Sequence, residues 1–236
     1  MATANQERDT EDDGAGGSAR GNAAPAEQAR TRLARAAVAE AARSLFLDRG
    51  YAATTFDMIS AESGVPAPTI YRLFQSKSGL LRVLIDEAVT GDGDPVPLEH
   101  REKVQGLLAS ADPRRQLAGL AGIVRDVNGR ATRQYPLLVS AADSDSGAAA
   151  LLAEYNQQRQ HGQGLFARSL AEMGALRPGM TERDAADIIH AMASPETYRL
   201  LVGDRGWSPD RFERWLTSTL CELLISPPKG HPNDER

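Results

Sequence analysis

The chain of 236 residues has a single cysteine, Cys221, and only 5% aromatic residues. One thiol excludes an internal disulfide framework and any zinc site built on cysteines, and it fits a reducing compartment. Alternating runs of Val, Ile and Thr, which strands require, are absent. No apolar stretch approaches the length of a membrane span, and the N-terminus has no apolar signal core. These absences lead to the expectation of a cytoplasmic protein that makes no use of a membrane. The four histidines, His100, His161, His190 and His231, share no metal-ligand spacing, so no metal site and no cofactor is expected. Nor does any nucleophile–base or carboxylate pair stand out between residues 98 and 226, which speaks against an enzyme.

What remains is helix-forming material. Hydrophobic residues make up 41% of the chain, dominated by Ala and Leu, which lose little freedom in a helix. The predicted fold class is therefore all-α.

Charge is distributed unevenly. The net charge is −5, yet residues 30–90 hold eight Lys or Arg against six acids, whereas residues 1–29 hold two against six. Only the 30–90 stretch is net basic, so it is the part suited to a polyanion. Residues 1–28, rich in Gly, Ala, Asp and Glu, are expected to form a disordered tail.

Helical periodicity begins at Arg30 with Leu33, Ala37, Ala41 and Leu45, widened by Val38, Ala42 and Phe46, and stops at Gly50. A short helix follows Thr54-Thr55, with Phe56, Met58 and Ile59 facing inward. Ser63-Gly64-Val65 reads as a tight turn, and a third helix opens at Pro66 and runs to Phe74. Ser76 caps a fourth helix with Leu80, Leu81, Leu84, Ile85 and Ala88 on its apolar side. The Gly/Asp/Pro run from Gly91 to Pro97 marks a break. The expected organisation is a first helical domain at 29–90, a second helical domain at 97–226, and a flexible C-terminus at 227–236.

In the second part, helices are predicted near 98–110, 113–134, 135–143 and 147–174. Another starts at a Thr181 cap with Asp184 three residues on, and Pro195 interrupts it. A segment holding Tyr198, Leu201 and Val202 ends at Gly203. The last helix starts with Ser208 as cap and Pro209 as first residue, and its stripe holds Phe212, Trp215, Leu216, Leu220, Leu223 and Leu224. Such a wide apolar face predicts an association surface. The expected homodimer interface is Ile188, Phe212, Trp215, Leu216, Leu220 and Leu223. Gly119-Leu-Ala-Gly122 and Gly162-Gln-Gly164 follow no strand, so they predict close helix crossings rather than phosphate loops. Cys221 reads as a small buried hydrophobe.

Two short helices joined by a Gly turn, with a third behind them, form the layout of a helix-turn-helix. The helix that enters the major groove then reads Pro66-Ala-Pro-Thr-Ile-Tyr-Arg-Leu-Phe74. Ile70 and Phe74 would face the core. Ala67, Thr69, Tyr71 and Arg72 would face out with a methyl, a hydroxyl, a phenol and a guanidinium for phosphates and base edges. Arg72 either joins this set or pairs with an acid. Lys77 would bring a cation to the phosphate backbone, beside the N-terminus of its helix.

These residues, from Thr55-Phe-Asp-Met-Ile59 through Gly64-Val-Pro-Ala-Pro-Thr-Ile-Tyr-Arg-Leu-Phe-Gln-Ser-Lys77 to Leu80-Leu81, resemble the DNA-binding domain of TetR-family (tetracycline-repressor-like) regulators over about residues 30–88. The resemblance implies an all-helical homodimer with an N-terminal three-helix DNA-binding domain and a C-terminal helical domain that binds a small molecule. It implies that the last two long helices form the dimer interface. It puts DNA contacts on Thr55, Ala67, Pro68, Thr69, Tyr71 and Lys77. The chain departs from the family in having Pro66 where a Ser cap is usual and Leu73 where a His is usual. The resemblance also places Tyr135, Tyr155, Phe166 and Met173 around a ligand pocket. His190, among Ile188, Ile189 and Met192, lines that pocket or is a satisfied core histidine. The expected function is a repressor released from a double-stranded DNA operator by a small apolar effector. The alternative is a ligand-independent or architectural DNA binder of the same fold.

Overall fold

The computed structural model describes residues 23–91 and 96–226, with side chains from residue 27 onward. Among them the regular elements are helical, apart from one isolated antiparallel bridge between Leu176 and Ile225. None of the described helices is long and apolar enough to cross a membrane.

The first helix, α1 (Ala23–Arg49), begins earlier than its apolar pattern. It takes in residues 23–28 of the expected tail; residues 1–22 and the expected flexible 227–236 lie outside the described residues. Its apolar stripe is engaged only from Val38. Leu33 is 72% exposed, and Ala37 is also exposed, because that part of the helix runs past the elements packed on it. Then come α2 (Phe56–Ser63), α3 (Ala67–Phe74) and α4 (Lys77–Thr90).

A 3-10 turn at Leu98–His100 leads to α5 (Glu102–Leu108), α6 (Pro113–Ala131), α7 (Gln134–Ala142) and α8 (Ser146–Glu172). The chain ends in α9 (Glu182–Met192), the single turn α10 (Pro195–Tyr198), a π-helical stretch at Arg199–Asp204, and α11 (Pro209–Leu224). The starts obey the chemistry of orphan N–H groups. Thr181 and Asp184 form a reciprocal capping box, and Ser208 accepts from Arg211 N ahead of Pro209.

Two apolar cores result. Val38, Phe46, Ile59, Ile70, Phe74, Leu80, Leu81 and Leu84 from α1–α4 form the first, joined by Tyr135, Leu138, Leu151 and Tyr155 from α7 and α8. The second gathers Leu117, Leu120, Val124, Phe166, Leu170, Ile189, Phe212, Leu216 and Leu220. Helix α8, about 40 Å long at 1.5 Å per residue, puts its N-terminal half in one core and its C-terminal half in the other.

This second core corrects the expected dimer surface. Phe212, Leu216 and Leu220 are fully buried within their own chain, against α6 and α9. Their stripe is wide because one helix fills a core from several sides. Leu223, 42% exposed, and the half-buried Trp215 and Ile188 are what remains for a partner. The glycine expectations divide. A Cβ at Gly119 would lie 2.3 Å from Leu107 Cδ2, as a close crossing of α5 and α6 requires, but Gly162 and Gly164 have nothing within 4 Å. Cys221 is buried, and burial pushes its thiol pKa up.

Candidate nucleic-acid interface and ligand cavity

Local chemistry fixes the helix-turn-helix. Thr55, in extended backbone, accepts from Met58 N at 3.2 Å and starts α2. Gly64 closes it at φ 68, a left-handed conformation that only Gly enters freely. Ser63 Oγ then accepts from Val65 N at 3.2 Å. Pro66 occupies the cap position of α3 and offers no side-chain hydrogen bond; the helix starts at Ala67, one residue later than expected, with Pro68 tolerated in its first turn. Gln75, the one non-glycine at positive φ among the described residues, ends α3 with its N–H 2.8 Å from Tyr71 O. The next helix begins so close that a Cβ at Gly79 would sit 2.1 Å from Phe74 O.

Helix α3 therefore buries Ile70 and Phe74 and turns the opposite side to solvent. Tyr71 is 55% exposed, with its ring edge on Phe56 at 4.3 Å between centroids. Pro68 and Arg72 are exposed, and Ala67 and Thr69 are half-buried beside them. Residues 68, 71 and 72 recur at the three- and four-residue spacing that shares one helix face. Arg72 makes no ion pair among the described residues, so the pairing alternative is not seen. Arg35, which sequence reasoning missed, braces this helix from α1: it donates to Leu73 O at 3.2 Å and lies over the Phe74 ring.

Lys77 departs from its expected role. Its Nζ donates to Tyr51 O at 3.0 Å, Thr54 O at 3.1 Å and Ala52 O at 3.5 Å, and stands 4.5 Å over the Tyr51 ring. An ammonium has three protons, and here three carbonyls of the α1–α2 turn take them. Lys77 thus holds the turn beneath the recognition helix rather than reaching outward. The buried Thr54, also missed, serves the same turn by donating to Gly50 O and Leu45 O.

A cavity of about 700 Å³ lies between α4, α5, α6 and α8. Its walls are mostly apolar, with Val83, Val89, Leu120, Ile123, Val124, Tyr155 and Phe166, and the Cβ-less Gly162 adds room. Polar groups in the wall include Asn128, Gln163, Arg159, the carboxylates Asp86, Glu87 and Glu99, and the paired Arg82 and Glu154, whose two N–H···O bonds measure 2.6 and 2.8 Å. Of the expected pocket residues, Tyr155 and Phe166 line this space. Tyr135 instead lines a separate cavity of about 340 Å³ with Tyr198 and Glu196. Its hydroxyl donates to Glu196 at 2.6 Å, and burial, then that bond, pushes its pKa up. His190 lines neither cavity: it sits behind the wall, bonded to Arg159 and Gln163. Met173 corrects its expectation too; it follows the last turn of α8 and is 37% exposed, outside both cavities.

Helix α4 is common to the helix-turn-helix module and the cavity. Arg43 of α1 bonds Glu87 at 2.6 Å. Arg82 ties α4 to α8 through Glu154, and Arg130 of α6 donates to Ala88 O and Val89 O at 2.8 Å each, capping the end of α4.

The model of bacterial regulatory proteins of the tetR family matches residues 38–84. The HTH-type transcriptional activator FasR of Mycolicibacterium smegmatis is 41% identical over 81 residues, 33% of this chain and 35% of that protein, so the match spans about a third of its length. Solved structures extend the likeness to the whole fold. NalD, the secondary repressor of the MexAB-OprM multidrug efflux pump in Pseudomonas aeruginosa, aligns at a TM-score of 0.66 and 24% identity over 83% of this chain and 98% of NalD. A Saccharomonospora viridis protein solved with choline aligns at 0.59 and 21% identity, over 82% of this chain and 98% of that one. SmeT in complex with triclosan aligns at 0.60 and 16% identity, over 86% and 99%. Residues 38–84 thus match the DNA-binding module of the tetR family of bacterial regulatory proteins, set in an all-helical frame like those of the aligned structures.

Proposed function

We propose that the chain is a sequence-specific DNA-binding transcriptional regulator whose affinity for DNA is controlled by a small molecule in the cavity between α4 and α8. The observation that carries this reading is the outer face of α3. Pro68, Tyr71 and Arg72 stand exposed on a helix braced by Arg35, and Thr54 and Lys77 fix the α1–α2 turn of the same module. A groove-reading helix needs that combination of free edge groups and rigid support. Thr55, Ala67 and Thr69 complete the DNA-facing set. The exposed N-terminus of α4 at Ser76 offers backbone N–H groups to a phosphate.

Ligand control follows from the shared helix. A molecule seated against Val83 and Val89 pushes on α4, which carries the module at its other end. Such control requires different ligand affinities in the two arrangements of α4. The likeness to proteins solved with choline and triclosan supports a ligand-responsive reading over a ligand-independent DNA binder. A second copy would join along the exposed parts of α9 and α11, at Ile188, Trp215 and Leu223, giving two recognition helices.

The sign of regulation has two readings, each with its own support. Release from an operator, as a repressor, is favoured by the fold shared with NalD. Activation is favoured by the closer match of the module itself to an activator. Capture of fragmented genomic DNA by the purified protein, followed by a reporter carrying the captured fragment, tests both. DNA binding predicts enrichment of discrete fragments, and reporter output falling or rising with the protein decides the sign. Uniform recovery of all fragments would contradict the proposal.

A further inference from the structure

The cavity wall contains a cation whose hydrogen-bonding capacity is largely unspent. Arg159 of α8 gives Nη2 to Nε2 of His190 at 2.9 Å. His190 Nδ1 lies 3.0 Å from Gln163 Oε1. An amide oxygen only accepts, so Nδ1 carries the proton and Nε2 is the acceptor for the guanidinium. His190 is thereby held neutral, and its pKa is pushed down by burial and then by the charge of Arg159. Nε and Nη1 of Arg159 are buried and meet no acceptor.

Among the described residues no carboxylate is bonded to this guanidinium. Glu196 acts on Arg159 through space, and one of its oxygens accepts from Tyr135. Arg82, the other arginine in the wall, spends both terminal nitrogens on Glu154. Asp86, Glu87 and Glu99 also line the cavity, on α4 and the 98–100 turn rather than on α8. A guanidinium stays charged at all accessible pH values, and a buried one without acceptors is costly.

We propose that the molecule this cavity accepts is an amphiphile with an anionic oxygen head group, a carboxylate or a phosphate, received by the guanidinium of Arg159. Its apolar body lies along Val83, Ile123, Val124 and Phe166. His190 is a positioning residue that fixes the guanidinium through Nη2. The proposal rests on the ligand-responsive reading above and narrows it from an apolar molecule to an acidic one.

The test is calorimetric titration of the full-length protein with four probes of one chain length: decanoate, decyl phosphate, decanol and decyltrimethylammonium. The expected result is that decanoate or decyl phosphate binds at least about tenfold more tightly than decanol, with the cation weakest, as a charge-assisted hydrogen bond to a buried site predicts. Whichever anion binds more tightly identifies the head group. R159Q should abolish the preference for the anions over decanol, and R159K should keep part of it. The wild-type comparison stands even if R159Q does not fold. Equal affinities for decanoate, decyl phosphate and decanol would overturn the head-group assignment alone. Failure of all four probes to bind would overturn the cavity's ligand role with it.

Discussion

Tyr51 Oη donates to Asp145 Oδ2 at 2.6 Å and joins the turn after α1 to the start of α8, 94 residues further along the chain. The other oxygen of Asp145 caps α8, accepting from Gly147 N at 2.8 Å and Ala148 N at 3.1 Å. The same Tyr51 carries the Lys77 ammonium over its ring and on its carbonyl. A single side chain therefore touches the recognition module and the helix that walls the cavity.

The bond to Tyr51, followed by the backbone N–H groups, holds the Asp145 carboxyl below its ordinary value. A depressed folded-state value means the stabilisation is present above the unfolded carboxylate range near 3.9 and is lost as pH falls through the folded value. Tyr51→Phe should cost about 1–2 kcal/mol at neutral pH, reduced by the partial exposure of Asp145. Denaturant unfolding of both proteins at several pH values checks this. The gap between them should close in acid; a gap independent of pH would contradict the assignment.

Lys77→Ala should lower stability as well as DNA affinity, because three carbonyls of the α1–α2 turn lose their donor. A loss of about 1–2 kcal/mol corresponds to several degrees in melting temperature for a domain of this size. The check pairs a melting curve with a salt titration on bulk DNA. An unchanged melting temperature with a flattened salt dependence would return Lys77 to the role of a phosphate-binding cation.

For assembly, burial reverses one expectation. Leu216→Glu with Leu220→Glu should unfold the chain, because both side chains are fully buried within it and a buried carboxylate has no partner there. Leu223→Arg, at an exposed position, should leave the fold intact and shift light scattering from dimer toward monomer. A folded, still dimeric Leu223→Arg protein would place the interface elsewhere.

The helix-turn-helix module was largely legible in the sequence, because Gly64, Ser76 and the Ile70–Phe74 spacing each impose local geometry within a few residues. Tyr71 and Arg72 project as that spacing requires. The remainder depends on partners distant in sequence. Nothing local tells that the Lys77 amine turns back to carbonyls 23 to 26 residues earlier, or that Gln163 orients a histidine on α9. An amphipathic stripe such as Phe212–Leu220 reports that a face is buried, not whether its own chain or a second copy covers it. Tyr135 and Met173 show the same limit: helix assignment was sound, but which cavity a side chain meets is set by how helices cross.

The central claim, that α3 reads DNA, is tested most directly by selecting duplexes from a random pool with the full-length protein. The selected site is then titrated with wild type, Tyr71→Phe and Arg72→Ala at several salt concentrations. The account predicts a site with two related halves about one helical turn apart, or a multiple of it. Tyr71→Phe keeps the ring on Phe56, so it should lose affinity by about tenfold or less with an unchanged melting curve. Arg72→Ala should either relax base preference at one position or flatten the salt dependence by about one unit of slope per subunit. If the pool yields no site and both variants match wild type on bulk DNA, the outer face of α3 is not a DNA-reading surface and the account fails.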